Sequence, residues 1–208
     1  MEHDKALALE PRNARALWGK GQLTRKLRRF DESIRNYQAA LDSDPFDAGV
    51  LQGLATTLWF AGRSAEAVQL ARRALDISPE IELGHWYLGY ALLMSGDLEA
   101  ALREMRLEAV KSWRLFGIAM VEQARGHQPE ADAALQELLA LNDPQNAVNI
   151  ATIYAARGDA QTAVRWLERA RVMRYLTIGD HSQSPSFYGI RRDPGYVAFL
   201  HKMNLPAW

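Results

Sequence analysis

The sequence predicts an all-α chain: an α-α superhelix, or solenoid, of about five helix pairs with a C-terminal capping helix. Three observations predict it. Pro11, Pro45 and Pro79 stand 34 residues apart. A Gly followed five residues later by Ala recurs as Gly62 and Ala67, Gly96 and Ala101, Gly126 and Ala131, and Gly158 and Ala163. The chain has 208 residues, 48% of them hydrophobic, and no cysteine, so it can bury a sizeable core without disulfide staples. Two markers with compatible periods identify a tandem repeat of helix-pair length.

Each unit reads as two helices. The glycine closes the first helix in the left-handed conformation that costs glycine least. A capping residue then opens the second: Ser64, Asp97 and Asp159 follow their glycines by one or two positions, and Pro129 suits a first turn. The recurring alanine lets two helix backbones approach. Leu54, Leu88, Ile118 and Ile150 recur in the first helices and are expected to fill the layer between neighbours.

In order along the chain, the first unit supplies Leu17, Gly21, Ser33, Tyr37, Ala40 and Pro45. The second supplies Leu51, Leu54, Ala55, Leu58, Gly62, Ala67, Ala71, Ala74 and Pro79; the third, Leu88, Gly89, Leu92, Gly96 and Ala101. The fourth offers Leu115, Ile118, Ala119, Gly126, Ala131, Leu135 and Leu138. The fifth offers Ala147, Ile150, Ala151, Tyr154, Gly158, Ala163, Leu167 and Ala170. On these residues the chain resembles the tetratricopeptide repeat (TPR) family over roughly residues 3–173. The expected organisation is a TPR array over 1–174, with a half-repeat at 3–11 and repeats near 14–47, 48–81, 82–111, 112–143 and 144–173. A connector and the capping helix follow at 175–208.

Departures from the family pattern carry expectations of their own. Lys20 stands where a large apolar residue belongs, and Arg28 replaces the first turn glycine, which costs about 1 kcal/mol if the turn needs positive φ. Glu108 takes a small-residue site with no proline after it, so a shortened helix is expected near Met105 to Lys111. The opening half-repeat suggests a segment of a larger bacterial protein. The ending from Arg192-Asp193-Pro194 to Asn204-Leu205-Pro206 resembles the close of TPR regions appended to bacterial cyclases, kinases and transcription regulators. Within it, Tyr196, Phe199, Leu200 and Met203 share one helix face that should close the last repeat's core.

Function classes narrow by composition. Lys plus Arg and Asp plus Glu number 25 each, which argues against a nucleic-acid partner. No apolar stretch reaches membrane-span length and no signal peptide opens the chain, so no membrane partner and a cytoplasmic setting are expected. His3, His85, His127, His181 and His201 are scattered without metal-ligand spacing, and Trp18-Gly19-Lys20-Gly21 lacks the context of a phosphate loop. The adjacent Asp180-His181-Ser182 reads as a polar connector rather than a triad. No catalytic residue, metal or cofactor is expected. The run Arg25-Lys26-Leu27-Arg28-Arg29 reads as a solvated helix end or as a surface for an acidic partner.

The resemblance implies that the first helices line a concave face able to hold a peptide or helix. Helical spacing places Trp18, Gln22, Thr56, Trp59, Phe60, Trp86, Tyr90, Met94, Trp113, Phe116 and Met120 there. The function expected is non-catalytic protein–protein recognition through this aromatic groove. The alternatives are self-association, with the acidic Pro129 to Pro144 stretch meeting the basic first repeat, and a groove for a small apolar ligand. In a further arrangement Tyr175 to Tyr188 folds back as an internal ligand. A carboxylate clamp of the kind some TPR domains use is not expected, because its places hold Trp18, Gln22, Gly53, Leu83 and Tyr87.

Overall fold

The structure is a computed structural model that describes residues 8–175, 178–182 and 184–205, for all but the side chains of Asp180 and His181. His3 and residues 3–7 of the expected half-repeat lie outside the described residues, as do 176, 177 and 183 of the connector; residues 8–9 are helical. Among the described residues there is no strand. Five helix pairs follow one another: α1 (Ala14–Lys26) with α2 (Phe30–Ser43), α3 (Ala48–Phe60) with α4 (Ser64–Ile77), α5 (Gly84–Ser95) with α6 (Leu98–Leu107), α7 (Lys111–Arg125) with α8 (Gln128–Ala140), and α9 (Ala147–Ala156) with α10 (Ala160–Val172). The short α11 (Ile178–His181), a 3-10 turn at Pro185–Ile190 and α12 (Pro194–Lys202) complete the chain. Contacts divide it into two compact units, Met1–Ala109 and Val110–Trp208.

All five pairs turn by one device. The glycine N–H bonds back three residues and the next N–H bonds back five, as in Gly62 N–H to Trp59 O (3.1 Å) and Arg63 N–H to Leu58 O (2.8 Å). This is the double bond that satisfies a helix's last carbonyls around a left-handed residue. Gly62, Gly96, Gly126 and Gly158 take φ between 77° and 88°. Arg28 makes the same two bonds, at 2.8 and 2.9 Å, with φ of 59°, so the first turn has the family geometry without the family residue.

The residue after each turn is the N-cap. Asp97 accepts from Ala100 N–H (3.1 Å) and Asp159 from Thr162 N–H (2.9 Å), and Pro129 sits in the first turn of α8. Ser64 is corrected: it is the first helical residue, and the cap is Arg63, which has no side-chain acceptor to offer. The turn leaves one residue between glycine and helix, so a cap two positions on comes too late.

In unit 1 the packing hinge is Tyr37, fully buried between α1 and α3. A Cβ on Gly21 would stand 2.9 Å from its ring and one on Gly53 only 2.6 Å, so both helices need glycine there. Ser33 Oγ donates to Gly21 O (2.8 Å) and lies 3.1 Å from Thr57 Oγ1, which in turn donates to Gly53 O (3.0 Å). Buried hydroxyls are thereby paired across three helices. Leu54, Leu88 and Ile150 are buried as expected; Ile118 is half-buried.

Helix α6 ends at Leu107, and Glu108 turns inward, 3% exposed, to accept the Trp86 N–H at 3.1 Å. The residue that shortens α6 thus caps the start of α5, whose own N-cap Leu83 has φ of 57° and no side-chain acceptor.

In unit 2, α12 packs on α10 and buries Tyr196, Phe199 and Leu200 in one cluster with Ala151, Ala155, Leu167 and Ala170; Met203 lies at its edge. The capping helix closes the last pair's core. No described helix is long and apolar enough to cross a membrane.

Candidate functional site

Unit 1 gathers an aromatic cluster on its first helices. Trp59 lies 6.1 Å from Trp86 (edge-on), 5.9 Å from Tyr87 (stacked) and 5.1 Å from Tyr90. Trp86 and Tyr90 stack at 5.1 Å. Phe60, next to Trp59, stacks on Phe30 at 6.3 Å and 24°. The Arg28 guanidinium sits over Phe30 (5.5 Å) and that of Arg25 over Phe60 (5.8 Å). Two cations therefore bracket a stacked ring pair, each held by the negative ring face at about 0.5–1 kcal/mol.

Burial sorts the expected groove residues. Thr56, Trp59, Trp86, Tyr90, Phe116 and Met120 are buried, whereas Gln22, Phe60, Met94 and Trp113 are half-buried. Trp18 alone among them is exposed, at 39%. Rings on neighbouring first helices come within stacking reach and bury one another. Thr56 is turned to its own helix, its hydroxyl donating to Gln52 O at 2.8 Å. Unit 1 brings together Trp59, Phe60, Trp86 and Tyr90; unit 2 brings together Trp113 and Phe116, edge-on at 5.9 Å.

The basic run now has a place. At 100° per residue, Arg15, Trp18, Gln22, Arg25 and Lys26 fall within about 100° of arc on α1, while Lys20 lies outside it. Leu17 and Thr24 occupy the opposite, buried side. Helices α1, α3 and α5 together contain no Asp or Glu.

Unit 2 treats its last first helix differently. The 3-10 turn Pro185–Ile190 packs on α9, with Phe187 and Ile190 buried against Val148, Ala151 and Ala155. Phe187 stacks on Tyr196 at 5.5 Å, and the Tyr196 hydroxyl donates to Ser182 O. Of the segment from Tyr175 to Tyr188, residues 176, 177 and 183 lie outside the described residues, and the part that packs on α9 is the turn that begins at Pro185. Ser182 is buried; the side chains of Asp180 and His181 lie outside the described residues.

A model of the tetratricopeptide repeat family matches residues 4–48, 23–80 and 53–113, which together span more than half of the chain, and a second matches 148–169. The chain belongs to the tetratricopeptide repeat family. Solved TPR proteins share the fold. TTC0263, a thermophilic TPR protein of Thermus thermophilus, aligns with a TM-score of 0.63 at 19% identity, over 90% of this chain and 99% of its own. PilW, a type IV pilus biogenesis factor, aligns at 0.63 and 16% identity over 90% and 87%. YrrB, a TPR protein with an unusual peptide-binding site, aligns at 0.55 and 18% identity over 88% and 98%. No curated protein matches the sequence.

TPR folds serve as protein–protein interaction modules and scaffolds. Two groups of residues at this TPR face escaped the sequence pattern. Phe30 joins the cluster from α2, off the groove spacing, Tyr87 joins it from a place considered only for a carboxylate clamp, and the half-buried Arg25 and Arg28 lie on ring faces. The adjacency of Arg28 and Phe30 across a glycine-less turn was the available signal. Among the described residues no group of three or more His, Asp or Glu is placed to hold a metal. His85 pairs with Glu104 at 2.8 Å and His127 with Glu122 at 3.1 Å, so both have structural partners.

Proposed function

We propose that the chain is a non-catalytic recognition module whose α1–α3–α5 face in unit 1 takes a peptide or helix from a protein partner. The observation that carries this reading is Trp18: a large ring left 39% exposed on the same arc of α1 as Gln22 and Arg25, the last of which lies over the half-buried Phe60. Exposed tryptophans flanked by arginine are the residue types that dominate binding energy at protein interfaces. Gln22, Phe60 and Met94 line the accessible part, and the buried Trp59, Trp86 and Tyr90 form its floor. In unit 2, Trp113 is the accessible ring, over Phe116 and Met120. The repeats run near 14–47, 48–81, 82–111, 112–143 and 144–173 in an array over 1–174, with the connector and cap at 175–208.

Peptides selected from a random library on the purified chain test the reading. With a photo-crosslinking side chain at Gln22 they should label strongly, and with one at the exposed Gln38 of α2 weakly. Trp18→Ala should weaken capture about tenfold or more. Equal labelling at both positions, together with capture indifferent to Trp18→Ala, sinks it.

A further inference from the structure

Several arginines of the chain have a carboxylate within reach: Arg63 has Glu66, Arg125 has Glu122, Arg157 has Asp132 and Arg171 has Glu168. Arg165, Arg169 and Arg174 are exposed and have none within ion-pair distance among the described residues. On α10, at 100° per residue, Arg165, Arg169 and Val172 fall within about 60° of arc, opposite the buried Ala163, Leu167 and Ala170. Val172 is 71% exposed and Met173, next in the chain, 46%. Two of the guanidiniums are held in place. Arg165 Nη2 donates to Thr162 Oγ1 (2.9 Å), and that of Arg169 lies 4.9 Å from the centre of the half-buried Trp166 ring. Cations fixed in this way lose less freedom when a partner binds.

The carboxylates nearby are engaged elsewhere. Glu168 accepts from Arg171 (2.7 Å) and from Lys202 of α12 (2.8 Å). Asp159 caps the start of α10 through the Thr162 N–H (2.9 Å) and attracts Arg165 only at longer range, and Asp193 caps α12. The turn that ends α10 adds a second observation. Arg174 N–H bonds to Arg171 O (3.0 Å) and Tyr175 N–H to Ala170 O (3.1 Å), the double bond that four repeats close on glycine, and Arg174 takes φ of 55°. Left-handed backbone favours glycine, so an arginine kept there at a cost points to use of its side chain.

We infer that this outer face of α10 docks a helix of another protein, one with two carboxylates a turn apart and an aliphatic side chain a further turn along. Arg165 and Arg169 are themselves one turn apart, roughly 6 Å on a helix surface, which is the spacing of such a carboxylate pair. A guanidinium fork meets a carboxylate with two parallel bonds, and Val172 and Met173 supply the apolar end of the contact. The patch combines Arg, Met and Trp without Lys, as protein interfaces do; an anionic bilayer would be served by lysine as well. The face lies on a second helix of unit 2, so the inference does not rest on the groove reading, which concerns first helices.

The test selects peptides from a helical library on the full chain after depletion on Arg165→Gln with Arg169→Gln, which removes every binder that does not need the two arginines. Survivors should carry Asp or Glu three or four residues apart with Leu, Ile or Met a turn further on. By anisotropy they should bind the Gln pair about tenfold or more weakly at low salt, with the gap closing as salt rises. Val172→Ser with Met173→Ser should also weaken them. Trp18→Ala should leave them as they are, and so should Arg35→Gln with Arg72→Gln, an equal charge change at exposed positions of unit 1. Circular dichroism checks that each variant is folded.

No survivor after depletion overturns the inference, as do survivors without the acidic pair. Binding indifferent to Val172→Ser with Met173→Ser removes the apolar end. Survivors that need Trp18 belong to the groove, which then stands while the α10 face falls. Phosphatidylserine vesicles that pellet the wild type and not the Gln pair would give the face to a membrane. A dimer in sedimentation velocity that the Gln pair dissolves would give it to a second copy. Either result overturns the inference.

Discussion

The first and last repeats solve the same structural problem with opposite chemistry. The last turns on Gly158, caps α10 with Asp159, and presents a first helix without charged residues that the chain covers with its own Phe187 and Ile190. The first turns on Arg28, opens α2 at Arg29 with no side-chain cap, and presents Trp18 exposed among cations. In the first repeat these two departures from the repeat's local rules, at Arg28 and Arg29, stand next to the cations of α1. Natural proteins tend to break such rules at sites of function and recover the stability elsewhere. On that logic the first repeat is the one that the proposed recognition function would use.

The largest effect should come from breaking the cover. Phe187→Ala empties a fully buried site between α9 and Tyr196 and should cost unit 2 about 3–5 kcal/mol in chemical denaturation. Trp18→Ala, on the open face, should change stability by no more than about 0.5 kcal/mol. If the two losses came out alike, Trp18 would be a packing residue and the contrast between the repeats would fail.

The next effect is a swap of turns. Gly158→Arg should cost about 1 kcal/mol, because φ of 78° is left-handed and favours glycine. Arg28→Gly should return less than that, since it relieves the backbone and also removes the cation over Phe30. Thermal melts of both variants measure the asymmetry. A gain at Arg28→Gly as large as the loss at Gly158→Arg would mean that the ring contact contributes nothing.

Much of this was legible in the sequence because it depends on single positions. Four glycines at five-residue distance from an alanine mark the turns, and the conflict at Arg28 could be foreseen, since only one backbone conformation fits there. The shortened α6 was readable at Glu108, but the role of its carboxylate was not: an N–H 22 residues away is invisible to a local pattern. The aromatic face was legible as a set of residues and not as an exposure. Helical spacing says which way a ring leaves its own helix, whereas burial is decided by the rings arriving from the next one, as between Trp59, Trp86 and Tyr90. Phe187 gave no periodic signal, because the cover on α9 lies in a turn that belongs to no repeat.

The smallest effect separates the caps of the two repeats by pH. Backbone and side-chain hydrogen bonds from Thr162 hold the Asp159 carboxyl below its ordinary value of 3.8. A lowered folded-state pKa means that the ionised cap stabilises the folded chain above the unfolded value, and that this share is lost as pH falls through the folded one. The window therefore lies below about pH 4, and exposure of the carboxylate limits the loss to a few tenths of a kcal/mol. Asp159→Asn keeps an oxygen for the Thr162 N–H and should flatten this share of the acid profile while leaving neutral stability within about 0.5 kcal/mol. Arg29→Asp installs the missing cap on α2 and should create a similar acid-sensitive share in unit 1. An acid limb identical in wild type and Asp159→Asn would show that the hydrogen bond, not the charge, does the capping, and the first repeat would then forgo the whole of that contribution by opening α2 with an arginine, which has no acceptor to offer.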